Sequence, residues 1–333
     1  MAVLLAFVLL LLSGGAAGDD VAALLEFKKG IADRDRDPVL GSWSPPATTE
    51  AGNGAGGCPA AWRGVVCDGG AVVGVALDGL GLSGELKLAT LAGMRALQNL
   101  SLAGNAFSGR LPPAIGSLSS LRHLDLSGNR FYGPMPGRLA NLSGLVHLNL
   151  SHNNFSSGFP TDGIRQLQNL RRIDVRNNSF WGNAGDLLTQ LRNAEYIDLS
   201  DNLFTGSVDL ELDSLTSIGN TVKYLNVSHN KVGGGFFRNE TVGAFKNLAV
   251  LDLSNNGLGG TVPRLDAWFS LEIFRVAGNG LFGMMPEALL QNSMRLVEVD
   301  LSRNGFSGTI PFLLKCAYLV EFVIYQSRNS TII

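Results

Sequence analysis

The side chains of this sequence with the widest chemical reach are few. Four histidines stand at positions 123, 147, 152 and 229, and three cysteines at 58, 67 and 316. Neither set forms a catalytic or metal-binding pattern, since no H-E-x-x-H, no G-x-S-x-G and no Cys/His cluster occurs. No Gly-rich phosphate loop is paired with a kinase lysine and an H-R-D or D-F-G signature. The chain is therefore read as not an enzyme, with no cofactor and no metal, and its chemistry as non-covalent recognition. The residues suited to that recur at one period. His123, His147, Arg172, Tyr196 and Tyr224 follow each other at 24, 25, 24 and 28 residues.

Each of these five precedes an apolar residue, then Asp or Asn, then a second apolar residue. The wider template is L-x-x-L-x-L-x-x-N-x-F/L, as in Leu121 to Phe131, and a Gly and an apolar-Pro pair follow in several copies. Its asparagine falls at Asn105, Asn129, Asn153, Asn178, Asn202, Asn230, Asn256, Asn279 and Asn304, with gaps of 23 to 28 residues. That period marks a solenoid and matches the leucine-rich repeat. Leu124 and Leu126 lie two apart and face one side of a strand, leaving Asp125 on the other. Leu121 and Phe131 fold onto the same interior. Asn129 sits among these apolar residues, so its amide must bond backbone groups of its own and adjacent repeats. One repeat cannot bury its apolar face alone, and stacked repeats share one core.

This placement puts the column His123, His147, Arg172, Tyr196 and Tyr224 outward on the concave face. At ~4.8 Å between strands it spans roughly 19 Å. Arg171 and Arg176 add charge beside Arg172, with Glu195, Asp198 and Asp201 one repeat later, and all four histidines are placed on this face. Aromatic residues mixed with Arg and His suit a recognition surface. The rings are expected to serve as platforms and the guanidinium as an anchor for five or six residues of an extended peptide. Histidine titrating near ~6.5 would strengthen binding in a mildly acidic cell wall. The recurrent Asp or Asn between the inward residues (Asp125, Asn149, Asp174, Asp198, Asn226, Asp252 and Asp300) is assigned a structural or solvated role.

Of the 333 residues, 45% are apolar and 16% charged, with net charge −2, a balance that gives no argument for nucleic acid or an anionic membrane. Val3 to Leu12 is an apolar run followed by small residues to Gly18, which predicts a signal peptide over 1–18. No later run reaches the length of a membrane span, because Lys315 and Glu321 interrupt the stretch from Phe312 to Tyr325. A helix is expected from Asp19 to Ile31, capped by Asp19 or Asp20 and stopped at Gly30, with Leu24, Phe27 and Ile31 as its apolar stripe. A polar break at 33–38 and a loop at 44–57 follow. After an export signal, Cys58 and Cys67 are most simply a disulfide, with a metal or redox pair as the alternative. Cys316 is read as a small buried hydrophobe, with an interchain disulfide as the alternative. The divisions are a cap at 19–71, about ten repeats at 72–318 and an incomplete eleventh repeat at 319–333.

Leu24-Leu-Glu-Phe-Lys-Lys, Trp43 and Trp62-x-Gly-Val-x-Cys67 resemble the N-terminal cap of plant leucine-rich repeat receptor-like kinases. Leu82-Ser-Gly-Glu-Leu86, Phe107-Ser-Gly-Arg-Leu-Pro112 and Phe306-Ser-Gly-Thr-Ile-Pro311 resemble the plant-specific repeat ending. The chain is most similar to ectodomains of receptor kinases whose kinase domains often lack catalytic residues. The resemblance implies an α/β leucine-rich repeat solenoid of the plant-specific type. It would carry one parallel strand per repeat on the concave face, a mostly irregular or 3-10 convex side and a helical, disulfide-stapled cap. Repeats five to seven lose the Gly-x-apolar-Pro ending, so their flank is expected to be irregular. The family's C-terminal cap, membrane helix and kinase are not in the sequence, which reads as truncated before them. No R-x-R of the type that binds a peptide carboxylate lies on a strand, and no spacing leaves room for a long island.

The implied function is an extracellular recognition region binding a peptide ligand or another receptor ectodomain for signalling, in the cell wall or at the cell surface. The alternative is a secreted inhibitor of a wall-degrading enzyme, similar to polygalacturonase-inhibiting proteins. Eight N-x-S/T sequons suit a secreted glycoprotein. Asn99, Asn149, Asn177 and Asn226 are placed on the concave side, and Asn141, Asn154, Asn239 and Asn329 on loops or flanks.

Overall fold

In a computed structural model the described residues are 17–32, 39–44, 58–208, 218–235, 242–262, 264–265, 267–285, 292–308 and 318–323. The expectations for the export segment before residue 17, the polar break, the loop from 45 to 57, Cys316, Asn239, Asn329 and the last ten residues lie outside them.

Each repeat turns its L-x-L core into a short strand, because two apolar side chains two positions apart can then enter the same interior. The strands are β1 (Val65–Asp68), β2 (Ala71–Ala76), β3 (Asn99–Ser101), β4 (His123–Asp125), β5 (His147–Asn149), β6 (Arg172–Asp174), β7 (Tyr196–Asp198), β8 (Tyr224–Asn226), β9 (Val250–Asp252), β10 (Ile273–Arg275), β11 (Glu298–Asp300) and β12 (Glu321–Val323). They form one sheet in sequence order. β1 and β2 pair antiparallel, and each later neighbour is parallel, so the array is a solenoid. Leu121, Leu124 and Leu126 are fully buried, as are their equivalents along the array. A spine of Phe107, Phe131, Phe155, Phe180 and Phe204 runs beside them, with ring centroids 6.3 Å apart at Phe131–Phe155 and 5.6 Å at Phe155–Phe180. Each buried Leu or Phe contributes roughly 1.5–3 kcal/mol before ordering costs.

The repeated asparagine closes the turn after each strand. Asn129 donates from Nδ2 to the carbonyls of Leu102, Leu126 and Ser127, and its Oδ1 accepts from the Phe107 amide. Asn153 repeats the pattern with Leu126, Leu150, Ser151 and Phe131. The same links run from Asn105 and Asn178 through Asn202, Asn230, Asn256, Asn279 and Asn304. Each side chain thus joins its own turn to the preceding repeat.

The opposite flank is mostly irregular or 3-10, as expected. It holds 3-10 turns at Leu88–Leu91, Pro113–Ser117 and Gly137–Asn141, but also short helices at Thr161–Ile164 and Ala184–Gln190. Each repeat carries a second short strand just beyond the asparagine position, from Ser83–Gly84 to Gly305–Ser307, including the repeats that lack the proline ending. With Ile31–Ala32 of the cap added at one end, these strands form sheets of five, two and four. The interruptions fall at Trp181–Asn183 and Gly233–Gly235, within the repeats that lose the proline ending. There Asn183 Oδ1 accepts from the Gly185 and Asp186 amides and starts a helix instead.

At the first repeat's open end, the helix Ala17–Lys28 buries Leu24 and Phe27 against the array. Asp20 lies inside that helix and does not cap it, because its carboxylate accepts from the Val72 amide across the cap. Ile31 leaves the helical stripe and pairs with Gly84 in a strand. Gly30 is needed for close approach and not for a left-handed helix end, since a Cβ there would sit 2.5 Å from the Glu85 carbonyl oxygen. Cys58 and Cys67 form the disulfide. Trp43 stacks on Trp62 at 5.5 Å and donates to the Arg63 carbonyl, while Lys28 Nζ donates to the carbonyls of Leu40 and Trp43.

The ladder separates two adjacent asparagines. Asn153→Leu leaves three carbonyls and one amide without their partner, whereas Asn154 is exposed in a flank strand. Urea denaturation is expected to show Asn153→Leu destabilised by ~1–3 kcal/mol and Asn154→Leu much less. Equal midpoints would refute this assignment.

Candidate functional site

The strand register brings the five spaced residues into one line. His123 pairs with His147, His147 with Arg172, Arg172 with Tyr196, and Tyr196 with Tyr224. All five project from the sheet face opposite the core, and their side chains meet in two groups, His123 with His147 and Arg172 with Tyr196 and Tyr224. The His123 and His147 rings meet edge to face at 4.4 Å. The Arg172 guanidinium carbon lies 3.5 Å from the Tyr196 ring centroid, and Tyr196 stacks on Tyr224 at 4.1 Å with planes 10° apart. The line is therefore a ridge whose members fill each other's faces. Tyr196 has Arg172 on one face and Tyr224 on the other, so it offers its edge and not the open platform expected from the sequence.

Beneath the ridge lie two buried carboxylates, Asp174 and Asp198, on adjacent strands. Arg176 bridges them, with Nη1 at 3.4 Å from Asp174 and 3.6 Å from Asp198. The Tyr196 and Tyr224 hydroxyls donate to Asp198 Oδ2 at 3.4 and 3.2 Å. Burial raises the Asp174 pKa and the Asp198 charge adds to this, while Arg176 and Arg172 oppose it. Burial also raises Tyr196 and Tyr224, with the neighbouring carboxylates contributing, so both phenols stay protonated donors. Burial disfavours the Arg176 cation, but the two carboxylates outweigh it and raise its pKa. The other oxygen of the recurrent Asp is a turn acceptor, as where Asp125, Asp198, Asp252 and Asp300 take the amide of Ser127, Ser200, Ser254 and Ser302. Asp174 takes that of Arg176.

Other expected residues fall elsewhere. Arg171 is not in the ridge but lines a groove at the edge of the sheet and donates to the Asn193 carbonyl. His152, Asn177, Asp201 and His229 leave the strand face, sitting in the following turns with φ of 54°, 51°, 52° and 54°. His152 Nε2 accepts from Arg176 Nε at 3.2 Å. Among the sequons, Asn99 is exposed in β3, one strand before His123. Asn149 donates from Nδ2 to Asp125 at 2.9 Å, and Asn226 to the Tyr224 hydroxyl at 3.4 Å. Asn141 is exposed at the end of a 3-10 turn.

Sequence reasoning missed two features. One is a further ionic group at β9–β11, where Arg275 is bonded to Glu298 and lies 3.5 Å from Asp252. It breaks the Asp/Asn column, which was its signal. The other is the arginine edge shared by Arg95 and Arg122. Among the described residues no group of three or more His, Cys, Asp or Glu is placed to hold a metal, and no helix is long and apolar enough to cross a membrane.

Profiles of known families match this architecture. A leucine rich repeat N-terminal domain matches residues 17–68, and leucine rich repeats match 96–118, 120–142, 144–167, 247–265 and 295–317, with a further one at 220–235. A probable inactive receptor kinase of Arabidopsis thaliana is 50% identical over 296 residues, covering 87% of this chain and 28% of its own length. The chain thus spans under a third of that relative. The crystal structure of a TDR receptor superposes with a TM-score of 0.66 at 31% identity, over 72% of this chain and 41% of that one. The Arabidopsis receptor kinase HAESA, solved in complex with the peptide hormone IDA and the co-receptor SERK1, superposes with a TM-score of 0.51 at 25% identity, over 90% of this chain and 60% of that one.

Stability should depend on pH through His147. Burial first, then the nearby His123 and Arg172 charges, lower the His147 pKa below 6.5. The folded chain then holds fewer protons here than the unfolded one. The stability this group contributes is present above pH ~6.5 and is lost as pH falls through the lower folded value. This opposes the expected gain of charge in mild acid. An NMR titration is expected to place the His147 midpoint below ~6.5, and His147→Gln to flatten the loss of thermal stability below that pH. A midpoint above ~6.5 refutes the assignment.

Proposed function

We propose that this chain, a leucine-rich repeat protein of the plant receptor-kinase ectodomain type, is an extracellular recognition region whose ridge contacts an extended peptide or a partner ectodomain in signalling. The observation that carries this is the in-register line from His123 to Tyr224, whose two groups, His123 with His147 and Arg172 with Tyr196 and Tyr224, are each packed ring on ring or guanidinium on ring. A contact surface already held rigid loses little side-chain freedom when a partner arrives, and tyrosine edges offer both apolar area and hydroxyl groups. The half-exposed guanidiniums of Arg172 and Arg176 add directional donors for a carboxylate or a carbonyl. The peptide and co-receptor bound by HAESA are partners of the class this ridge fits. Any signalling output belongs to whatever the recognition region is joined to.

The test is selection of extended peptides from a displayed library on the secreted chain, followed by Arg172→Ala and Tyr196→Ala. Selected peptides are expected to bind each variant at least ~10-fold more weakly, as for truncation of a buried aromatic or arginine anchor. Tyr132→Ala, on the opposite flank, should leave binding unchanged. Peptides indifferent to the ridge variants would overturn the reading. Inhibition of a polygalacturonase by wild type and ridge variants alike would favour the inhibitor alternative.

Glycosylation supplies a second check. The Asn149 and Asn226 side-chain nitrogens are hydrogen-bonded beside the ridge, and a glycan on either would cover it. Glycopeptide mass spectrometry of the secreted chain is expected to find both unmodified and exposed Asn141 modified. Full occupancy at Asn149 and Asn226 would exclude the ridge as a contact surface.

A further inference from the structure

We infer that the edge of the array, beside the ridge but separate from it, is a binding site for an acidic polysaccharide, a linear polymer of uronic acid units. This goes beyond the peptide or ectodomain partner proposed for the ridge.

A groove of about 490 Å³ runs along the entrance to the strands of repeats two to five and is lined by the guanidiniums of Arg95, Arg122 and Arg171. A second hollow of about 230 Å³ on the next turns carries Arg165 and Arg192. All five arginines are exposed, and neither hollow has an Asp or Glu in its lining. Among the described residues no side-chain hydrogen bond or ion pair engages Arg95, Arg122, Arg165 or Arg192. The acid one repeat on, Glu195, is held by Lys223 at 2.6 Å. In a chain of net charge −2 this is a local excess of one sign, with Glu195 beside Arg171 as the acid that partly offsets it. Such an edge concentrates anions and binds carboxylates through paired N–H donors.

The lining also decides the class of anion. Between the arginines stand the amides of Gln98 and Asn169 and the hydroxyls of Ser119 and Ser120, and Val146 is the one apolar side chain. This lining forms no recess for apolar peptide side chains. Guanidiniums alternating with amides and hydroxyls match a polymer that repeats a carboxylate and several hydroxyls on every unit. Arg122 and Arg171 occupy the same place in their repeats, two strand spacings or roughly 10 Å apart. A stiff linear chain laid along the solenoid meets them in succession.

The test is calorimetric titration of the secreted chain with a de-esterified oligogalacturonate long enough to cross three repeats. Its methyl-esterified counterpart and a poly-glutamate of equal charge serve as comparisons. The acid form is expected to bind, the ester not to bind, and poly-glutamate to bind more weakly. Added salt should weaken binding, since exposed charges are screened beyond ~8 Å at physiological ionic strength. Arg95→Gln and Arg122→Gln are each expected to weaken binding by about 3- to 10-fold. Arg122→Lys should retain most of it, and the double change Arg95→Glu with Arg122→Glu should abolish it. Arg130→Gln on the opposite flank removes the same charge and should have no effect. Circular dichroism and thermal midpoints of each variant report folding, and exposed, unpaired side chains should leave both unchanged. Failure of the acid form to bind, equal binding of the ester, tighter binding of poly-glutamate, or an equal loss in Arg130→Gln would overturn the inference. Ridge variants tested for peptide binding fail or succeed independently of these outcomes.

Discussion

A chain that coils through this many turns must satisfy a carbonyl or an amide at each of them without water. The amide side chain of one asparagine per repeat meets that demand. It holds three carbonyls and accepts one amide, and two of these partners belong to the preceding repeat. The strand spacing and the inward aim of the leucines follow from that clamp. So does the alignment of residues a full repeat apart in sequence. An unsatisfied group in this interior costs ~1–3 kcal/mol, comparable to burying one leucine.

Alignment is what turns scattered side chains into a surface. His123 and Tyr224 are 101 residues apart in sequence (224 − 123) and share one line because each strand enters the sheet at the same point of its repeat. The same alignment stacks the recurrent acids, and like charges a strand apart repel. Arg176, placed over Asp174 and Asp198, offsets that repulsion where two acids are neighbours. Elsewhere an asparagine replaces an acid, as at Asn149 beside Asp125, and donates to it. The ridge and its ionic underlayer are therefore one structure, and the phenol hydroxyls of Tyr196 and Tyr224 join them.

Strictly periodic features were legible in the sequence. The buried leucines, the asparagine ladder and the one-strand-per-repeat sheet follow from spacing alone. The Cys58–Cys67 bond was legible from proximity together with the expected export. The line His123 to Tyr224 was also legible as a line, because register fixes it. Its stacking was not, since that depends on which way each side chain turns. His152 and His229 were misplaced because a left-handed turn, and not strand alternation, governs the residue before the asparagine. Asp20 looked like a cap for its own helix because its bond to Val72 crosses 52 positions. The arginine edge escaped notice because Arg95 and Arg122 occupy different places in their repeats and meet only at the groove.

The flank sheets are interrupted behind the ridge. Among the described residues, single bridges at Gly158–Trp181 and Ser207–Gly233 join their separate parts. In front of the same repeats, Arg172, Arg176, Tyr196 and Tyr224 hold the strands together. The two sides of the solenoid therefore differ in mechanical compliance. At the breaks the rear is joined by isolated backbone bonds, Ser179 to Phe155, Trp181 to Ser157 and Gly233 to Gly206, while the front keeps an unbroken ladder with side chains packed over it. In a rod built this way the unbroken side sets the neutral axis, so bending would change the spacing along the ridge least.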